Sequence, residues 1–143
     1  MSSLNRRNIL AGLETILKTI TSVKAVVRSY MPVDIEQYAT TSLPLIEIRE
    51  PAESPDAEMT SRRQIVNMDT AIRVFFLSWA ESPAVAYESL VKEIRNKVGV
   101  NFNVSGTATA CWVVGVGQVN GEMPLYQFSM TLRVRYYLNE QDA

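Results

Sequence analysis

The segment from Leu125 to Leu138, LYQFSMTLRVRYYL, alternates apolar and polar residues almost without a break. Tyr126, Phe128, Met130, Leu132, Val134 and Tyr136 fall on one side; Gln127, Ser129, Thr131, Arg133 and Arg135 fall on the other. A period of two belongs to an extended strand with one buried face. A second segment, QIVNMDTAIRVFFLSW at 64–79, repeats the pattern. Val66, Met68, Ile72, Val74 and Phe76 share one face. Asn67, Asp69, Ala71 and Arg73 share the other, until Phe75 and Leu77 make both faces apolar. Two long strands with one apolar side each commit the chain to a sheet that something else must cover.

Helical periodicity supplies the cover. Leu10, Leu13, Leu17 and Ile20, widened by Ile9 and Ile16, form an apolar stripe over 4–20, with Ser2 or Ser3 available as a cap. Arg6 and Arg7 sit in its first turn, where the helix dipole mildly disfavours cations. Tyr87, Leu90, Val91, Ile94 and Val98 form a second stripe over 83–98. Ser82 reads as its cap, Pro83 as its first residue and Gly99 as its stop. Shorter strands are expected at 23–30 (VKAVVRSY) and 43–49 (LPLIEIR), with Asp34 to Thr41 irregular between them. In ACWVVGVGQV at 110–119, strict alternation puts Trp112, Val114 and Val116 on one face and the glycines at 115 and 117 on the other. Asn120-Gly121 is a hairpin signal leading into the terminal strand. The expected fold is α+β: a two-layer domain, with two main helices packed on one face of a mostly antiparallel four- to five-stranded sheet.

At 143 residues the chain fits one domain with a core of its own. A formal net charge of −1 gives no global attraction to nucleic acid or membrane. The single cysteine, Cys111, makes no internal disulfide and suits a reducing compartment; no apolar run approaches a bilayer span. The sequence contains no histidine, which removes the commonest general base and zinc ligand and every imidazole triad. Without an activating histidine, Cys111 reads as a buried strand residue. GVGQVNG at 115–121 looks superficially like a phosphate loop, but it has no lysine, fails the GxGxxG spacing and enters a hairpin. The chain therefore reads as a non-enzyme with no catalytic, cofactor or metal residues.

Glu50 to Arg63, EPAESPDAEMTSRR, holds two prolines and the carboxylates of Glu50, Glu53, Asp56 and Glu58, and it closes on Arg62 and Arg63. It reads as a long polar loop, a type of segment that is often functional. Its carboxylates lack the ligand alternation and turn glycine of a calcium loop. Arg73, Arg133 and Arg135 come together on the polar sheet face if their strands are neighbours. Aromatic residues are sparse on that side, with Tyr137 the clearest, so it makes a weak platform for stacking bases.

Taken in order, NILAGLETILKTI, VKAVVRSY, LPLIEIRE, the loop 50–63, QIVNMDTAIRVFFLSW, SPAVAYESLVKEIRNKV, ACWVVGVGQV and LYQFSMTLRVRYYL resemble the tail terminator, or tail-completion, proteins of long-tailed bacteriophages. That family includes the lambda tail terminator and its relatives in contractile-tailed phages. The resemblance covers nearly the whole chain and lies in the layout of elements, not in a motif. It implies a single tail-terminator-like domain over 1–143, a structural virion protein assembled in the host cytoplasm. Such proteins form a ring, usually a hexamer, on the end of the tail tube. They stop its growth and offer a docking surface for the head and neck, with no cofactor and no reaction. The implied partners are further copies of the chain, the tail tube protein and head–tail connector or neck proteins, with the sheath protein as a further contact. The genome would pass through the channel without sequence-specific binding, and no membrane is involved. On this reading Asp69, Arg73, Ser129, Thr131, Arg133 and Arg135 would meet a neighbouring subunit or line the channel. The loop would order on contact with tube or neck proteins, and Arg62 and Arg63 would pair with acids on a partner. Two other readings stand beside it: a different head–tail connector or neck component, and a small cytoplasmic ligand-binding α+β domain.

Overall fold

The computed structural model describes residues 2–29, 42–49, 52–60, 63–101, 103–104, 108 and 110–139. Its elements in chain order are α1 (Ser2–Lys18), β1 (Ala25–Ser29), β2 (Leu45–Arg49), β3 (Ala52–Thr60), β4 (Arg63–Leu77), α2 (Ala84–Val100), β5 (Ala110–Val116), β6 (Asn120–Glu122) and β7 (Leu125–Asn139). The expectations for Asp34 to Thr41, and those for Glu50 and Arg62, lie outside the described residues. Among the described residues, no helix is long and apolar enough to cross a membrane.

The two long strands pair antiparallel along their whole length, from Arg63 opposite Asn139 to Leu77 opposite Leu125. β7 occupies one side of β4, so β2 and β3 follow one another along the other side; β2 meets 72–75 and β3 meets 63–69. β5 and β6 likewise share the far side of β7. β1 lies outside β2 and runs parallel to it, the one parallel pair in the described sheet. The fold is α+β with a mostly antiparallel sheet, as expected, but the described sheet has seven strands, not four or five.

One added strand is β3, which replaces the expected loop. Glu53, Asp56 and Glu58 lie in it, and Arg63 opens β4 opposite Thr60. The prolines and carboxylates that argued against a strand are the residue types that edge strands tolerate, because an edge leaves one row of backbone groups unpaired. A register shift between Pro55 and Met59 absorbs the irregularity. The other addition is β6. The chain reverses after Glu122, at Met123-Pro124, and not at Asn120-Gly121. Pro124 has no N–H to give to a ladder, so it falls in the turn. Gly121 is needed for a different reason. Its φ is +120°, and a Cβ there would lie 2.5 Å from the Leu125 carbonyl oxygen.

Both helices form where their stripes predict. Ile9, Leu10, Leu13, Ile16, Leu17 and Ile20 of the first segment are buried, as are Leu90, Ile94 and Val98 of α2. These join Val66, Met68, Ile72, Val74 and Phe76 of β4, and Tyr126 through Tyr136 at alternate positions of β7, in one apolar cluster. Tyr87 anchors α2 to the sheet. Its ring meets Phe128 edge-on at 4.9 Å, and its hydroxyl donates to the Gly117 carbonyl at 2.9 Å. Such a ring pair contributes about 0.5–1.5 kcal/mol beyond the area it buries. Ser22 Oγ donates to Glu93 at 2.6 Å and ties the exit of α1 to α2.

The ends of α2 differ from expectation by a residue or two. Pro83 is the cap position, not the first helical residue, although Ser82 Oγ still accepts the Ala84 N–H at 3.2 Å. Gly99 does not stop the helix. Asn101 does: its backbone N–H and its side-chain amide both donate to the Lys97 carbonyl at 3.0 Å. A side chain that satisfies a terminal carbonyl ends a helix as well as glycine does.

Thr70 interrupts the apolar face of β4. It is fully buried, and its hydroxyl has no hydrogen-bond partner among the described residues. Burying an unsatisfied hydroxyl costs about 1–3 kcal/mol. Thr70→Val keeps the shape and the β-branching, so it should raise stability by about 1 kcal/mol. A urea midpoint equal to or below that of the parent chain would contradict this.

Candidate interaction face

The second face of the sheet is built row by row from the strand register. One row runs Ser54, Asn67, Arg135, Ala110, and the next runs Ala52, Asp69, Arg133, Trp112. Further along come Ala71, Thr131 and Gly115, then Glu47, Arg73 and Ser129. The structure therefore brings Asp69, Arg73, Ser129, Thr131, Arg133 and Arg135 onto one face. Glu53, Asp56, Glu58 and Arg63 lie on the β3–β4 ribbon at one end of it.

The arginines on this face each have a hydrogen-bond partner within the chain. Arg133 grips Asp69 with two hydrogen bonds, Nε to Oδ1 at 2.8 Å and Nη2 to Oδ2 at 3.1 Å. This two-pronged geometry is the strongest form of carboxylate–guanidinium contact. Arg135 Nε donates to Asn67 Oδ1 at 3.1 Å. Arg73 Nε donates to Glu47 Oε1 at 2.6 Å, and its guanidinium carbon lies 5.0 Å from the centre of the Phe75 ring. The face thus sets the guanidiniums of Arg73, Arg133 and Arg135 against the carboxylates of Glu47 and Asp69, a formal balance of three positive to two negative.

The two ion pairs sit in different surroundings. Asp69 and Arg133 are about 40% exposed, whereas the Glu47 side chain is 0% and that of Arg73 19% exposed. Leu45 and Phe75, beside Glu47 on the same face, are also buried. The chain itself covers this end of the face. The helix α2 is not the cover, because its buried residues join the opposite face.

Sequence reasoning missed three features. Glu47 was one carboxylate in an apolar run, and a lone acid between buried neighbours was the available signal. Trp112 was assigned to the face of Val116, but the register slips between Val113 and Gly115, so Val114 is an extra residue. Cys111 and Val113 consequently oppose Val134 and Leu132 on the core face, and Trp112 opposes Arg133 on the polar face. Finally, Trp112 and Val114 are exposed, so Tyr137, which alternation already placed on this face and which is exposed too, is not its sole aromatic. Cys111 is buried, and its burial pushes the thiol up to about 12, which favours the protonated thiol at neutral pH.

No model of a protein family matches the chain, and no curated protein matches it. Among solved structures, a chain of the virion of a native gene transfer agent particle is similar at 9% identity, with 91% of this chain and 92% of that chain covered and a TM-score of 0.45.

Two outcomes follow from the unequal pairs. Arg73→Met removes the guanidinium from a buried carboxylate and should cost roughly 3–5 kcal/mol in chemical unfolding. Arg133→Met should cost far less, because its partner stays in contact with water. Equal losses would contradict the difference in burial. For Asp69, the hydrogen bonds from Arg133 hold the carboxyl below the usual carboxylate range, against an opposing effect of partial burial and with added help from the guanidinium charge. A depressed folded-state value means that the pair stabilises the fold above the ordinary carboxylate pKa of about 3.9 and loses that effect as pH falls through the folded value. In Arg133→Gln the Asp69 titration midpoint, followed by carboxyl NMR, should move upward. An unmoved midpoint would show that the pair does not form in solution.

Proposed function

We propose that this chain is a tail terminator protein of a long-tailed bacteriophage. It caps the tail tube as a ring, in the usual case of six copies, stops tube growth and presents a docking surface to head or neck proteins. The observation that carries this reading is the make-up of the second sheet face, with arginines latched to partners in their own chain and exposed Trp112, Val114 and Tyr137 beside them. Arginine and aromatic residues are enriched at protein interfaces. Pre-paired charges also limit the desolvation penalty when a partner closes over them. The order of elements along the chain, which resembles that family from end to end, supplies the rest of the support. The role is structural: the protein acts as a non-enzyme located in the tail or neck of the virion.

The experiment is to polymerise purified tail tube protein with and without this chain and to measure tube lengths by electron microscopy. Shorter tubes of uniform length with a ring at one end are expected. Arg133→Gln combined with Arg135→Gln should leave the chain folded and weaken capping. Tubes of unaltered length with bare ends would end the terminator reading.

A further inference from the structure

One end of the sheet carries large apolar side chains in water. Trp79 is 75% exposed, Val85 81% and Met123 50%. They belong together: the Ser78 N–H donates to the Pro124 carbonyl at 2.8 Å, so Trp79 and Met123 leave the sheet side by side, and Val85 begins the helix that follows. The tip is also acidic. Glu81 and Glu122 are exposed, and neither 78–91 nor 117–132 contains a lysine or arginine. An exposed apolar group rimmed by charge is the form of a contact site, not of a solvated turn.

The same chain carries its complement. A groove of about 320 Å³ runs along α2, lined by Tyr87, Glu88, Val91, Lys92, Arg95 and Asn96. Tyr87 and Val91 are its apolar wall, and Tyr87 is held by its ring contact with Phe128 and its bond to Gly117. Lys92 and Arg95 outweigh Glu88 at the rim, a formal balance of two positive to one negative. Knob and groove are opposite in shape and in charge.

We propose that the Trp79 tip of one copy seats in the α2 groove of a second copy. The indole fills the space beside Tyr87 and Val91, and Glu81 and Glu122 face Lys92 and Arg95. Tryptophan in a desolvated pocket is the residue type that most often dominates an interface, with a charged rim that steers and orients. Knob and groove are different patches, so the contact passes from copy to copy. The inference stands apart from tube capping; a ring is one way of closing such a contact.

Sedimentation velocity over a concentration series tests it on the full chain, with circular dichroism melting to confirm that each variant folds. The parent chain should self-associate, and Trp79→Ala should weaken association by roughly 30-fold. Glu81→Lys with Glu122→Lys should sediment as a monomer, and so should Lys92→Glu with Arg95→Glu. Mixing these two folded variants should restore association, because each tip then meets a groove of opposite charge. A parent chain that stays monomeric, a Trp79→Ala that associates like the parent, or a mixture that stays monomeric would each overturn the contact. A monomeric parent that still caps tubes would overturn this contact alone and leave the terminator reading standing.

Discussion

The ladder between β4 and β7 is the constraint on which the rest depends. Each strand is 15 residues long, and the pairing runs from one end to the other. A slip of one residue would turn Arg133 and Arg135 into the core and expose Phe128 and Leu132. A slip of two would keep the faces but separate the polar partners. In this ladder Asp69 lies directly opposite Arg133 and Asn67 opposite Arg135, while the β2–β4 ladder sets Glu47 opposite Arg73. Directly opposed pairs are the unit of sheet stabilisation, so the polar face helps to hold the register that the apolar face requires. Four strands pair directly with these two, β2 and β3 on one flank and β5 and β6 on the other, and β1 follows outside β2.

The sequence made the long strands legible because alternation needs only a covered face, and the helices legible because their stripes need only the same cover. The polar face residues were found together for this reason. The β3 strand was illegible because strand preference depends on context. Pro55 and the carboxylates around it lower the propensity of an interior strand and suit an edge, and a single sequence does not say which edge is free. Trp112 was misplaced because a bulge changes parity without changing composition. Val114 and Gly115 look like any two strand residues until a partner strand counts them as one position. The ion pairs were hidden for a third reason. Glu47 and Arg73 are far apart in sequence, and only the pairing of β2 with β4 brings the carboxylate to the arginine.

Burial separates the roles of these pairs. Glu47 is closed off with Leu45 and Phe75, so its pair with Arg73 acts in holding the fold, and losing the guanidinium removes a charge-assisted bond from a buried carboxylate. Asp69 and Arg133 remain half open beside Trp112, where a partner surface can reach them. The covered end of the face is therefore architecture, and the open end is available surface. This division also accounts for the break in the polar pattern of β4 at Phe75, which is buried beside Leu45.

The open face and the Trp79 tip differ in how they can use charge. On the face, each guanidinium is already hydrogen-bonded to a group of its own chain, so an approaching partner meets no bare cation and is recognised in large part by shape and aromatic contact. At the tip and the α2 groove, Glu81, Glu122, Lys92 and Arg95 are exposed, and among the described residues they form no ion pair with one another. Charges of that kind act over about a Debye length, roughly 8–10 Å at ordinary ionic strength. They steer an encounter before contact and weaken with salt. A chain with both kinds of surface can separate two tasks. The tip and groove would choose a partner's orientation at a distance, while the pre-paired face would close without stripping water from bare ions. On the face, the pairing follows from where the partner of each arginine lies: across the β4–β7 ladder for Arg133 and Arg135, and across the β2–β4 ladder for Arg73.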